Sequence, residues 1–113
     1  MRVVFMGTPD FAVPSLKKLV HDHQVALVIT RPDAVRGRGK TLEPSPVKEC
    51  AQELGLPVLE ANRMTPEVIS AMREAQPEAL CVVAFGCILP DEVISLAPYG
   101  ALNVHASLLP RWR

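Results

Sequence analysis

Residues Ala79 to Ala84 read A-L-C-V-V-A, six apolar positions with no polar alternation. A strand with one wet face alternates apolar and polar residues. An unbroken run of strand length needs cover on both faces, as in parallel sheets between layers of helix. That one run narrows the fold more than any other feature. Arg2–Met6 and Val25–Thr30 are similar aliphatic runs, and Pro57–Glu60 is a shorter one.

Helical patterns separate these runs. The first helix starts between Asp10 and Pro14 and aligns Phe11, Leu16, Leu19 and Val20 on one face. Ser45 caps a second, with Pro46 at its first position and Val47, Cys50, Ala51 and Leu54 at i, i+3, i+4 and i+7; Gly55 stops it. Thr65-Pro66-Glu67 repeats that start ahead of Val68, Ile69, Met72 and Ala75. Pro90 to Leu96 makes a short helix, and Pro98-Tyr99-Gly100 turns into a last strand. Arg31 to Pro44 shows no periodicity and reads as a long loop. Strands alternating with helices predict an α/β class: a Rossmann-like, mostly parallel sheet with flanking helices and right-handed crossovers.

The 113 residues are the size of one domain, with no repeat or linker. Aromatic residues are 4% of the chain, so the core must be aliphatic. Twelve basic and twelve acidic side chains cancel, so nucleic acid would have to be met by a local patch rather than a global field. Cys50, Cys81 and Cys87 are odd in number without C-x-x-C spacing, which suits reduced thiols. No apolar run reaches transmembrane length, and a first strand beginning near Val3 leaves no room for a targeting peptide. A soluble, cytoplasmic protein is expected.

Five stretches could carry chemistry. Gly7-Thr8-Pro9-Asp10 stands where a phosphate-binding turn would be, but one glycine is not G-x-G-x-x-G and a tight turn explains it. His21-Asp22-His23 suits a solvated helix end better than a metal site, and no metal is expected. Cys81 and Cys87 read as small core residues. Arg31, Arg36, Arg38 and Lys40 face a single acidic residue, Asp33, with Gly37 and Gly39 flanking Arg38. Such a loop is either a solvated excursion or an arm that grips phosphates. In the last strand Asn103 and His105 share a face, about 6–7 Å apart, opposite Leu102 and Val104. Ligands of open α/β sheets bind outside the carboxyl ends of the strands. There an amide can donate to a developing oxyanion and an imidazole can carry a proton. Acyl transfer and hydrolysis both remain open on that basis.

The run Asn103-Val104-His105-Ala106-Ser107-Leu108-Leu109-Pro110 resembles the N-x-H-x-S-L-L-P signature of the folate-dependent formyltransferases. The opening F-M-G-T-P-D-F-A, the loop R-G-R-G-K, the following P-S-P-V-K and the final P-R-W-R are similar to the branch of that family acting on methionyl-tRNA. The resemblance implies transfer of a formyl group from 10-formyltetrahydrofolate to the amino group of initiator methionyl-tRNA, in translation initiation. It assigns Asn103 to the oxyanion and makes His105 the catalytic imidazole. Phe85, Gly86, Ile88, Leu89, Ser107, Leu108, Leu109 and Pro110 would form the folate site. Arg36, Arg38 and Lys40 would meet the tRNA.

The family's catalytic Asp and its C-terminal β-barrel domain have no counterpart here. Residues 1–113 are therefore expected to be an incomplete N-terminal catalytic domain, truncated before its last strands and inactive alone. Its last strand should be an exposed edge open to self-association. Two other readings stand beside this one. A formyltransferase for a small amine would need Asn103 and His105 but no basic loop. A non-catalytic module would hold folate or phosphate without turnover.

Overall fold

A computed structural model describes residues 1–8, 12–32, 34–35, 42–83, 85 and 89–104; at residues 34, 35, 42, 43, 103 and 104 it describes the backbone alone. The elements run β1 (Arg2–Gly7), α1 (Val13–Asp22), β2 (Gln24–Thr30), β3 (Ala34–Val35), β4 (Leu42–Glu43), α2 (Pro46–Glu53), β5 (Val58–Glu60), α3 (Pro66–Ala75), β6 (Ala79–Val83), α4 (Asp91–Ile94) and β7 (Ala101–Val104). Five strands form one sheet in the order β5-β2-β1-β6-β7, and every pairing in it is parallel. The chain starts in the middle at β1, moves out through β2 to β5, then crosses back over β1 to β6 and β7. The direction of winding therefore reverses between β1 and β6. This is the Rossmann-like sheet that the unbroken aliphatic runs predict.

Period 2 sorts the core into two layers. Val4, Met6, Leu27, Ile29, Leu80 and Val82 point to one face, where Val68, Ile69 and Met72 of α3 and Val93 of α4 cover them. Val3, Phe5, Val25, Val28, Cys81 and Val83 point to the other, beneath Leu16 of α1 and Val47, Cys50 and Ala51 of α2. Val25 and Val28 share a face although three residues apart. The register explains it: Val3 pairs with Val25 but Val4 with Leu27, so one extra residue on β2 reverses the facing of the rest of that strand.

Both proline-led helices are capped as expected. Ser45 Oγ accepts from Lys48 N at 3.0 Å, and Thr65 Oγ1 accepts from Val68 N at 3.3 Å. Gly55, at φ 73°, follows α2 in the left-handed conformation. Three expectations are corrected. The stretch read as an unstructured loop contains an antiparallel ribbon, with Ala34 opposite Glu43 and Val35 opposite Leu42. Strands of two residues are too short for alternation to show. Leu54, assigned to the buried face of α2, is that helix's C-cap and is exposed, because the helix stops at Glu53. The helix expected over Pro90–Leu96 is the single turn α4, with Pro90 as N-cap and Ser95 as C-cap.

Among the described residues, β7 pairs with β6 alone and is an edge, with Leu102 exposed. Among those same residues no helix is long and apolar enough to cross a membrane.

Candidate active site at the carboxyl ends of the strands

Parallel pairing brings the carboxyl ends of β5, β2, β1 and β6 to one rim of the sheet. An open α/β sheet binds ligands at this rim, in the crevice where the winding reverses. Here that point lies between Gly7, which ends β1, and Val83, which ends β6; the two are register partners. A β-carbon on Gly7 would fall 2.9 Å from the Val83 carbonyl oxygen, 3.0 Å from the Phe5 ring and 3.2 Å from Ala12 Cβ. Close approach of backbones is the reason for this glycine.

The residues just past the strands are tied to one another. Ala61 N donates to the Thr30 carbonyl at 2.9 Å, extending the pairing of β2 with β5 past its end. Arg31 N donates to Thr8 Oγ1 at 3.3 Å. Arg31 Nε donates to the Phe85 carbonyl at 3.1 Å, and Nη1 to Asn62 Oδ1 at 3.4 Å. The guanidinium carbon lies 6.0 Å from the centre of the Phe85 ring, the outer range of a cation–π contact. Behind the rim, Thr30 Oγ1 and Ser45 Oγ share a 2.7 Å hydrogen bond, and both residues are fully buried. This bond closes the base of the excursion that carries β3 and β4. Lys48 Nζ of α2 meets Glu60 Oε2 of β5 at 2.5 Å, with both side chains largely covered.

The candidate residues divide by what is described. Asn103 is the third residue of β7 and pairs with Val82, one strand outward from the switch point. Phe85 follows β6, but its ring is buried in the core layer beneath α3 and α4. Its carbonyl is at the rim, where it accepts from Arg31 Nε. Leu89 is half-buried and packs against that same layer. His105, Ser107, Leu108, Leu109, Pro110, Gly86, Ile88, Arg36, Arg38 and Lys40 lie outside the described residues, as do Pro9, Asp10 and Cys87.

Cys50 and Cys81 are buried free thiols, and burial pushes both thiols up in pKa. His21 Nδ1 and Asp22 Oδ1 are 3.0 Å apart at the exposed end of α1. That hydrogen bond, helped by Lys18, holds the Asp22 carboxyl below its ordinary value. Among the described residues no group of three or more His, Cys, Asp or Glu is placed to hold a metal ion. Sequence reasoning named Thr8 and Arg31 but missed Asn62 and the bonds that join these residues. No local signal could have found them, because their partners lie 23 to 54 residues away.

The chain is 51% identical over 115 aligned positions to a methionyl-tRNA formyltransferase of Geotalea daltonii and 52% identical to one of Clostridium perfringens. Both alignments take in all of this chain and 37% of the relative, so the chain spans little more than a third of the relatives' length. The structure is similar to that of phosphoribosylglycinamide formyltransferase from Anaplasma phagocytophilum. The TM-score is 0.68 at 23% identity, over 97% of this chain and 52% of that one. At that identity the likeness shows a shared fold. The family model described as formyl transferase matches residues 1–113 from end to end, and the chain belongs to that family.

Proposed function

We propose that these residues are the first part of a catalytic domain that transfers a formyl group from 10-formyltetrahydrofolate to the α-amino group of initiator methionyl-tRNA, in the cytoplasm. The observation that carries the reading is identity of 51–52%, over the whole chain, to proteins of that name. The strand-end rim supports it, since that is where an α/β sheet presents donors to a reacting carbonyl.

In this reading the amine attacks the formyl carbon and the carbonyl oxygen becomes an oxyanion that the Asn103 amide stabilises. The His105 imidazole hydrogen-bonds that oxygen or takes up the proton the amine loses. The bond from carbon to the folate nitrogen then breaks as that nitrogen takes up a proton, balancing the one the amine lost, and tetrahydrofolate leaves. Phe85, Gly86, Ile88, Leu89 and residues 107–110 hold the folate, Phe85 through its backbone. Arg36, Arg38 and Lys40 meet the phosphates of the tRNA end.

Formylation of methionyl-tRNA by the full-length protein is the test, run beside Asn103→Ala and beside residues 1–113 alone. Loss of one oxyanion donor is expected to lower kcat about 10²–10³-fold. Residues 1–113, spanning 37% of the relatives' length, are expected to give no product. A full-length protein that formylates a small amine but not methionyl-tRNA would overturn the substrate. Full activity in Asn103→Ala would overturn the site, and product from residues 1–113 the expectation for them.

A further inference from the structure

By charge pattern Arg31 belongs with Arg36, Arg38 and Lys40, but its bonds put it to different use. Its amide goes to Thr8, just past β1, its Nε to the carbonyl of Phe85 past β6, and its Nη1 to Asn62 past β5. Arg31 itself follows β2, so one residue ties the ends of four adjacent strands. The reach from β2 to β6 covers two strand spacings, about 9–10 Å, and passes the end of β1 where the winding reverses. At the far end the Phe85 ring is 1% exposed and locked in the core. The direction of the Phe85 carbonyl is thus set from below by a packed ring and from the side by a guanidinium.

From this geometry we infer that Arg31 is a positioning residue for the formyl donor. Its planar fork holds the Phe85 backbone, two residues past β6, in place at the rim, and so sets how tightly the donor is held there. The inference rests on the formyltransferase reading of the rim. A fork is required because the two donors point to different strands, Nε toward Phe85 and Nη1 toward Asn62. A lysine ammonium is a single point of charge on a flexible stem and cannot span both. Arg31 acts through the backbone it holds, and no contact with either substrate is assigned to it.

The test compares Arg31→Met and Arg31→Lys with wild type in the full-length protein. Hydrogen bonds from a charged donor are strong enough that KM for the formyl donor should rise roughly tenfold in both variants. Meanwhile kcat and KM for methionyl-tRNA should stay within about threefold. Amide hydrogen exchange at Phe85 and Leu89 should quicken by about tenfold in both variants, while exchange in β1 and β6 stays as in wild type. An Arg31→Lys variant that matches wild type would overturn the fork, leaving charge alone as the cause. An unchanged donor KM would overturn the positioning role, as would faster exchange in β1 and β6 in step with a fall in Tm. If the wild-type protein forms no formyl product the functional reading fails instead, and the exchange data still decide what Arg31 holds.

Discussion

A methyl group added at Gly7 would meet the Val83 carbonyl, the Phe5 ring and Ala12, and none of the three can step aside cheaply. The carbonyl is part of the β1–β6 pairing, the ring is fully buried, and Ala12 is the N-cap residue of α1. Gly7→Ala should therefore lose about 1–3 kcal/mol, the usual cost of forcing volume into a packed site. Urea unfolding would show it as a lower midpoint with an unchanged slope, and an unmoved midpoint would contradict it. The sequence reads Gly7 as the start of a turn, whereas it is the last residue of β1. The left-handed glycines among the described residues are Gly55 and Gly100; Gly7 is there for closeness to a strand met 76 residues later. Arg31 was grouped with the basic loop by charge alone, without sight of its bonds across the rim. Counting neighbouring charges cannot show that a side chain bonds to a carbonyl 54 residues away. Asn103 stood out because strand periodicity and position at a strand end are both local properties.

At the scale of elements, signals confined to a few residues held and those needing a partner did not. Ser45-Pro46 and Thr65-Pro66 start helices because hydroxyl, proline and free amide all lie within one turn. The β3–β4 ribbon left no such mark, although its two ends are joined by the Thr30–Ser45 hydrogen bond. That bond can be removed without destroying the cap. In Thr30→Val the side chain keeps its shape, and Ser45 Oγ still accepts from Lys48 N. The buried Ser45 hydroxyl then loses a partner, at an expected cost of about 1–2 kcal/mol. Thermal unfolding should show a lower Tm, while amide exchange at Lys48 stays slow because the cap remains. Wild-type stability would mean that the hydroxyl pair does not hold the base of the ribbon. Loss of protection at Lys48 would mean that Thr30 also supports the cap.

Over the whole molecule, the two-layered sheet was legible because strands covered on both faces have to be apolar throughout. The strand order follows from right-handed crossovers once α1 and α2 lie on one face and α3 on the other. The exposed last strand was expected from the family resemblance rather than from alternation, and β7 is that edge. Among the described residues β7 is bonded on one side only, and beside it Tyr99 is 71% and Leu102 63% exposed. An apolar strand with unpaired backbone groups is a template for another strand. Two copies of residues 1–113 can satisfy each other by antiparallel β7–β7 pairing about a two-fold axis, which buries Leu102 of both and closes the assembly. Sedimentation of residues 1–113 should therefore show a concentration-dependent dimer, and Leu102→Lys should shift it toward monomer by placing like charges across the axis. A monomer at every concentration tested would remove the edge as an interface. A dimer indifferent to Leu102→Lys would place the contact on another surface.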